Sequence, residues 1–103
     1  MTTPNNTDAG ETCPAQQALK LLSGKWKPQI LRLAEKAPLR FNSLLRQLEG
    51  TNKQALSVAL REMESAELLQ KTVIQQKPLH IEYHLTEKGM AMIPVLRQLE
   101  KLT

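Results

Sequence analysis

The chain has 103 residues, a formal net charge of +4, one cysteine and three aromatic side chains. This length suits one domain with one core, and a lone cysteine excludes both an intrachain disulfide framework and a cysteine-based zinc site. No apolar stretch approaches the roughly 20 residues of a membrane span, so a membrane protein is excluded and a cytoplasmic location is expected.

The chain begins with a polar segment followed by two predicted helices. Residues 1–12 mix Pro, Asn, Thr and Gly without a period, so we expect a disordered tail ahead of a single domain at 13–103. Proline is favoured at the first helical position, which predicts a first helix from Cys13-Pro14 that Ser23-Gly24 closes. The next segment, KWKPQILRLAEK, predicts a second helix that tolerates its proline in the first turn and stops at Pro38.

Two short helices separated by a sharp turn are predicted in the middle of the chain. The first has four apolar residues at positions i, i+3, i+4 and i+7, which form one stripe: Phe41, Leu44, Leu45 and Leu48. Gly50 ends this helix, and Thr51 or Asn52 can cap the next one by accepting a hydrogen bond from a first-turn backbone NH. This layout is a helix-turn-helix.

The second helix of the pair has an apolar and a polar side. Its apolar side consists of Leu56, Ala59, Leu60 and Met63. The opposite side, here called the exposed arc, consists of Lys53, Gln54, Ser57, Val58 and Arg61. The exposed arc has no carboxylate, although Glu62, Glu64 and Glu67 crowd the far end of the helix. A groove lined by phosphates favours this asymmetry, because acidic side chains near its floor would be repelled.

The basic residues are concentrated around this helix pair. Between Lys20 and Arg61 lie nine of the fourteen Lys and Arg residues but only two of the ten acids. A basic face of this kind supplies the salt-dependent part of DNA affinity, and the scarcity of aromatic residues disfavours a platform for stacking single-stranded bases. The sequence therefore points to double-stranded DNA as the partner, although a positively charged helix face can also be an ordinary solvated surface.

A β-hairpin is predicted after the helix pair. Its second strand alternates polar with apolar residues, which requires one buried and one solvated face, in the order His80, Ile81, Glu82, Tyr83, His84 and Leu85. The two histidines lie about 13 Å apart along the strand, too far to bind one metal ion. Residues 75–79 form the tip, where Lys77 either contacts DNA or is only a solvated loop charge. Leu39 is expected to add a very short strand.

The last predicted helix starts after Thr86, a suitable cap, and is expected to be interrupted and kinked at Pro94. Its broad apolar stripe, which one domain need not cover completely, comprises Met92, Val95, Leu96, Leu99 and Leu102. We expect this helix and the first one to pack against the same elements of a second subunit. The alternative is that the last helix closes the core of the monomer.

Several short motifs along the chain together match one family signature. In chain order they are Cys13-Pro14, Gly24-Lys25-Trp26-Lys27, Arg40-Phe41, Leu60-Arg61-Glu62-Met63-Glu64, Glu82-Tyr83-His84-Leu85-Thr86 and Gly89. Over Cys13 to Leu102 the chain resembles the HxlR-type regulators, bacterial transcription factors related to the MarR group. The resemblance implies an α+β, mainly helical fold: a winged helix-turn-helix with a two- to three-stranded β-wing and terminal dimerisation helices. It also implies a homodimer that binds pseudo-palindromic operators.

The chain departs from the family pattern at three places. Thr51-Asn52 stands where members have a hydrophobic residue and a serine, Glu67-Leu68 where they have Gly-Leu, and Lys71 where an arginine is common. Asn52 can still cap the helix, so the fold is not threatened. The missing glycine puts the path into the wing in doubt, because a residue with a Cβ atom resists a left-handed backbone.

Cys13 is the candidate sensing residue, because some members of the family respond to oxidants, quinones or aldehydes through the cysteine at this place. At a helix N-terminus the backbone NH groups and the helix dipole stabilise a thiolate and lower the thiol pKa below its usual value of about 8.5. A small electrophile or oxidant is then a further partner. The alternative is a partly buried small residue that reacts slowly.

The candidate DNA-binding residues are Arg40, Arg46, Asn52, Lys53, Gln54, Ser57, Arg61 and Lys77. Gln54, Ser57 and Lys53 are expected to read base edges, while the arginines and Lys77 hold phosphates. No catalytic, metal-ligating or cofactor-binding residues are predicted, because nothing supplies an orienting carboxylate, an oxyanion loop or a phosphate cradle. The alternative function is a winged-helix adaptor for protein partners, since fold alone does not determine function. An adaptor has no reason to avoid carboxylates on the exposed arc.

Overall fold

The computed structural model describes residues 14–102, which form five helices and one two-stranded antiparallel sheet. The helices are α1 Pro14–Leu22, α2 Lys27–Lys36, α3 Phe41–Gln47, α4 Lys53–Ser65 and α5 Glu87–Lys101, and the strands are β1 Leu69–Gln75 and β2 His80–Leu85. This order confirms the mainly helical winged helix-turn-helix, with β1 and β2 as the wing. The expected tail and Cys13 lie outside the described residues. Within the described part, no helix is long and apolar enough to cross a membrane.

The core forms around α2, which packs against α1, α4, α5 and β2. The largest fully buried side chains come from α2, α3, α4 and the turn that follows α4: Ile30, Leu31, Leu44, Leu56, Leu60, Met63 and Leu68. Complete burial of one such side chain stabilises the fold by about 1.5–3 kcal/mol relative to exposure. Between residues 14 and 102 no polar or charged residue is buried, so α4 is held by hydrophobic packing.

Side-chain caps begin α4 and α5 as the sequence predicts. The sequence left Thr51 and Asn52 as alternatives for α4, and the structure selects Asn52, whose Oδ1 accepts a hydrogen bond from the Ala55 NH at 2.8 Å. Thr86 caps α5, because its Oγ1 accepts from the Gly89 NH at 3.0 Å. Each cap satisfies a first-turn NH that has no partner within its own helix.

Two prolines lie within helices and have different consequences. Pro28 lies in the first turn of α2, where its missing NH would have had no partner. Pro94 lies inside α5, yet the helix is continuous from Glu87 to Lys101, so the predicted interruption is wrong. An interior proline costs about 3 kcal/mol, and burial of Ile93 and Leu96 on the same helix opposes that cost.

Two ion pairs connect α2 to α5 at the surface. Arg32 Nη1 lies 2.5 Å from Glu100 Oε2, and Arg97 Nη2 lies 2.6 Å from Glu35 Oε2. The two partners on each helix are three residues apart, a spacing that places them on one side of that helix. The last helix is therefore attached to α2 by charge as well as by apolar packing.

The chain leaves α4 through a left-handed residue, Glu67, with φ of 64°. The Glu67 NH donates to the Glu64 carbonyl at 2.9 Å and the Leu68 NH donates to the Met63 carbonyl at 2.9 Å. These two hydrogen bonds define the Schellman motif, and the fully buried Leu68 and Met63 supply its apolar part. Glu67 thus adopts the left-handed conformation that glycine favours, and the chain enters the wing by the same path as with glycine.

The start of α5 passes very close to this turn, at Gly89. A Cβ atom on Gly89 would lie 2.3 Å from the Leu68 carbonyl oxygen and 2.8 Å from Leu85 Cδ2. No side chain fits at that distance, so this position requires glycine even though glycine weakens a helix interior. Thr86 adds two hydrogen bonds to the same turn: its NH donates to the Leu68 carbonyl and its Oγ1 donates to the Glu67 carbonyl.

The wing is an antiparallel pair whose register changes once, between Val73 and Gln75, so that Gln75 pairs with His80. Leu39 forms an isolated bridge to Tyr83, with backbone hydrogen bonds of 2.8 and 2.9 Å in the two directions. This bridge confirms the very short additional strand. Burial raises the pKa of Tyr83, and the charge of Glu64 raises it further, so the phenol stays neutral at the base of the wing.

The alternation of polar and apolar residues in β2 predicts one fully solvated face, but the polar side chains on that face are partly covered. Glu82 lies between two histidines: its carboxylate oxygens are 3.1 Å from His80 Nε2 and 3.2 Å from His84 Nε2. The three side chains cover one another, and their exposed fractions are 29% for His80, 23% for Glu82 and 40% for His84. The apolar face follows the prediction, since Tyr83 is buried.

Replacing Glu67 by Gly is expected to raise the free energy of unfolding by about 0.5–1 kcal/mol. Glycine avoids the penalty of about 1–2 kcal/mol for an L-residue in the left-handed region, and its greater entropy in the unfolded chain offsets part of this gain. Urea denaturation measures the difference. Glu67→Gln is the matched control, because it removes the charge and keeps Cβ; an equal gain in both variants would contradict the conformational explanation.

Candidate nucleic-acid interface

The two sides of α4 are divided as the sequence predicts. Its buried residues are Leu56, Ala59, Leu60 and Met63. On the exposed arc Lys53, Gln54 and Arg61 are exposed, Val58 is 41% exposed and Ser57 is half-buried. The 13-residue helix is about 20 Å long and presents a mainly polar face, interrupted by Val58. Side chains on that face are long enough to reach the base edges of a groove.

The other candidate residues surround the start of α4 and the tip of the wing. Asn52 uses its Oδ1 to cap α4, so its first role is to orient the helix start. Arg40 precedes α3 and is exposed, and Arg46 is exposed in the last turn of α3, where it donates to Ser43 Oγ at 3.3 Å. Lys77 is exposed at the wing tip, and its carbonyl accepts from Gln75 Nε2 at 2.8 Å.

These basic side chains are available for a partner. In the described part of the chain, no carboxylate forms an ion pair with any of Arg40, Arg46, Lys53, Arg61 and Lys77. The structure groups Lys53, Gln54, Ser57 and Arg61 on one helix face, with Arg46 on the neighbouring helix. It leaves Lys77 on a separate element, the wing tip. The candidate sensing residue, Cys13, lies outside the described residues.

One carboxylate qualifies the prediction of an acid-free arc. Glu62 follows Gln54 and Val58 at four-residue intervals, and the three side chains line the same cleft. Its Oε1 lies 2.7 Å from Lys27 Nζ. A hydrogen bond and the charge from Lys27 lower the pKa of Glu62, burial acts weakly in the opposite sense, and the charge of Lys20 lowers it further. The acid at the edge of the arc is therefore ionised and paired.

The sequence assigned no role to three lysines that the fold brings to this cleft. Lys20, Lys25 and Lys27 come from α1, the α1–α2 turn and the start of α2, and they line the side opposite α4. The cleft has a volume of about 580 Å³. Two signals included them: the basic excess between Lys20 and Arg61, and, for Lys25 and Lys27, the Gly24-Lys25-Trp26-Lys27 motif of the family resemblance. Neither signal identifies a lysine as a contact to DNA.

Comparisons with known proteins place this geometry among regulators. A sequence profile described as HxlR-like helix-turn-helix matches residues 21–103. An uncharacterized HTH-type transcriptional regulator of Halalkalibacterium halodurans is 38% identical over 87 residues, which cover 84% of this chain and 77% of that protein. Another, from Methanothermobacter thermautotrophicus, is 36% identical over 84 residues, which cover 82% of this chain but only 64% of the longer protein.

Solved structures match over nearly the same span. The reduced form of the transcriptional regulator YodB from Bacillus subtilis has a TM-score of 0.78 and 27% identity, and the match covers 88% of this chain and 90% of that one. The redox regulator HypR in its reduced form has a TM-score of 0.80 and 29% identity, with 86% and 88% coverage. YodB also matches in diamide-treated and quinone-bound forms.

The Lys27–Glu62 ion pair is expected to make the stability of the fold depend on pH. Because the pKa of Glu62 is lowered from 4.5 in the folded protein, the pair stabilises the fold above pH 4.5, and this contribution is lost as the pH falls through the folded-state pKa. In Lys27→Met the Glu62 titration midpoint should move up toward 4.5. Carbon-detected NMR of the carboxyl group measures it. Lys36→Met, at the other end of α2, is the control, and an unchanged midpoint in Lys27→Met would refute the assignment.

Proposed function

The chain belongs to the HxlR-like helix-turn-helix family of transcriptional regulators, and from this we propose that it binds specific double-stranded operators as a homodimer. The family and its relatives are regulators rather than enzymes. The observation that carries the proposal is the exposed arc of α4. Its polar and basic side chains point away from the core, and the acid at its edge is neutralised by Lys27. In the major groove, Gln54 can pair with adenine, and Lys53 can donate to guanine.

The exposed arc also weighs against the adaptor alternative. An adaptor surface would be expected to bury aromatic or apolar anchors in its partner, whereas the exposed arc offers one apolar residue, Val58. Arg61 and Lys53 have no acidic partner within the described residues, a state that suits a ligand carrying regularly spaced negative charge. Arg40, Arg46 and Lys77 extend this surface to α3 and the wing, where they are assigned to phosphates.

Exposed apolar residues on the terminal helices support a homodimer. Leu19 on α1 is 56% exposed, and Met90, Val95 and Leu102, on α5 or at its end, are 55%, 45% and 82% exposed. The core of the monomer buries the opposite side of α5, through Leu96 among others, and leaves these residues uncovered. A second copy would remove them from water and place two α4 helices in successive major grooves, about 34 Å apart.

Cys13 is proposed to make the regulator responsive to electrophiles or oxidants. It immediately precedes Pro14, the first residue of α1, so a modification there acts at the end of a helix assigned to the dimer. YodB has been solved after diamide treatment and with bound quinone, and HypR is a redox regulator. Modification of this thiol is proposed to change the spacing of the two α4 helices and thereby the affinity for the operator.

Gln54→Ala and Arg46→Ala are expected to separate base reading from phosphate binding. The first variant should discriminate less between the operator and random duplex, by roughly 5- to 150-fold if it removes a bidentate hydrogen-bond pair of about 1–3 kcal/mol. The second should weaken both complexes alike and reduce the salt dependence. Fluorescence anisotropy with a duplex recovered by genome-wide mapping of bound DNA tests both variants. Equal effects on both duplexes in both variants would refute this division of roles.

Leu19→Glu and Val95→Glu are each expected to shift the protein from dimer to monomer, because each places a charge in the proposed subunit contact. Size-exclusion chromatography with light scattering at micromolar concentration measures the mass. Val73→Glu is the matched control: Val73 is 48% exposed but lies on the wing, so its replacement should leave the dimer intact. A monomeric unmodified protein at that concentration would exclude the dimer.

Diamide, which oxidises two thiols to a disulfide and is itself reduced, is expected to link the Cys13 thiols of two subunits and to lower the operator affinity of the unmodified protein by clearly more than twofold. The Cys13→Ser variant should not respond, since Cys13 is the single cysteine. The same anisotropy assay, before and after treatment, gives the comparison. An unmodified protein whose affinity stays within about twofold would remove the sensing role while leaving the DNA-binding function untouched.

A further inference from the structure

We propose that Lys20 and Lys25, which lie outside the helix-turn-helix, hold the DNA backbone along one edge of the groove that α4 enters. This inference rests on the proposed function and adds a contact to it. The turn between α1 and α2 thereby becomes part of the nucleic-acid interface, a role that its Gly24-Lys25-Trp26-Lys27 motif does not reveal by itself.

The path of the chain brings this turn to the helix-turn-helix. Ser23 closes α1 by donating from its NH and its Oγ to the Lys20 carbonyl, at 3.3 and 2.8 Å. Gly24 then adopts a φ of +91°, a conformation that reverses the chain and favours glycine. Lys25 ends up beside the sharp turn before α4: a Cβ atom on Gly50 would lie 3.8 Å from its Nζ.

Lys25 is exposed, and its ammonium group lies against the neighbouring Trp26 ring. Its Nζ lies 4.9 Å from the centre of the Trp26 ring, within the range of a cation–π contact. The Trp26 ring itself packs against the helix-turn-helix, since its Cη2 would be 3.7 Å from a Cβ atom on Gly50. This contact favours a lysine conformation beside the cleft, which lowers the side-chain entropy that binding a phosphate costs.

The cleft between this turn and α4 is positive. One wall carries Gln54 and Val58 of α4, and the other carries Lys20 and Lys25. Among the residues that the structure describes, Glu62 is the one acid that lines the cleft, and Lys27 pairs with it at 2.7 Å. Lys20 and Lys25 form no ion pair with any carboxylate between residues 14 and 102. Two positive charges therefore remain unbalanced directly beside the exposed arc.

The dimensions of duplex DNA place phosphates at this position. A helix with its side chains is about 10–12 Å wide, and the major groove is about 12 Å wide. A helix that enters the groove fills it, so the two sugar-phosphate strands pass along its flanks. The end of α1 and the α1–α2 turn lie along one flank of α4, where Lys20 and Lys25 meet backbone phosphates and no base edges. Lys20 and Lys25 therefore contribute affinity that is independent of DNA sequence.

The test uses a labelled 30-base-pair duplex of random sequence and the full chain, because binding to phosphates needs no operator. The logarithm of the association constant is measured by anisotropy against the logarithm of salt concentration. In the double variant Lys20→Gln/Lys25→Gln the slope should be smaller in magnitude by about 0.9 for each phosphate that is no longer neutralised, or about 3.6 for the four lysines of a dimer. Lys20→Arg/Lys25→Arg, which keeps both charges, should retain the slope.

The control is Lys36→Gln/Lys88→Gln, which removes the same charge elsewhere. Lys36 ends α2, and Lys88 lies in a cleft that also contains Glu64, Glu67 and Glu87, so neither is expected to face DNA. If the Lys20/Lys25 and Lys36/Lys88 glutamine variants have equal slopes while the unmodified protein binds the duplex, the inference is overturned and the proposed function stands. An unmodified protein that does not bind the duplex even in dilute buffer would overturn both.

Discussion

The exposed arc of α4 can face a partner only because the other side of the helix is held in a dry core. Leu56, Leu60 and Met63 are essentially removed from solvent, and returning one of them to water would cost about 1.5–3 kcal/mol. Rotation of α4 about its own axis would expose all three at once. Hydrophobic packing thus determines which way α4 turns Gln54 and Arg61. Residues on the exposed arc can therefore be substituted without loss of the fold.

Three elements meet at one residue, Leu68. Its NH donates to the Met63 carbonyl at the end of α4, its own carbonyl accepts from the Thr86 NH at 3.1 Å, and Gly89 of α5 passes close to the same oxygen. The end of α4, the start of β1 and the start of α5 are therefore joined through hydrogen bonds and close packing at Leu68. A displacement of α5 would therefore have to break or move the contacts that Leu68 makes with Thr86 and Gly89.

Patterns in the local sequence were sufficient to predict the helices and strands. The features that these patterns did not predict depend on interactions between residues far apart in the chain. Apolar spacing correctly identified the buried side of α4, because burial repeats with the helical period. It could not show that α5 continues through Pro94, since packing against the rest of the fold holds that helix. The glutamate at position 67, where family members have glycine, left the path into the wing open. In the structure, the hydrogen bonds of the Schellman motif hold Glu67 in the left-handed conformation. Glu62 forms an ion pair with Lys27, which lies 35 positions earlier in the chain. Helical or strand periodicity cannot predict a pair at this separation.

The two ion pairs between α2 and α5 make the attachment of the last helix dependent on ionic conditions. The paired side chains are between 31% and 53% exposed, and pairs of this kind contribute about 0–1 kcal/mol each and are weakened by dissolved ions. Changes in the surrounding ion content would then adjust how firmly α5 is attached to α2 and, through α2, to the rest of the fold. Such an adjustment is graded and fully reversible, and it requires no chemical modification of the polypeptide.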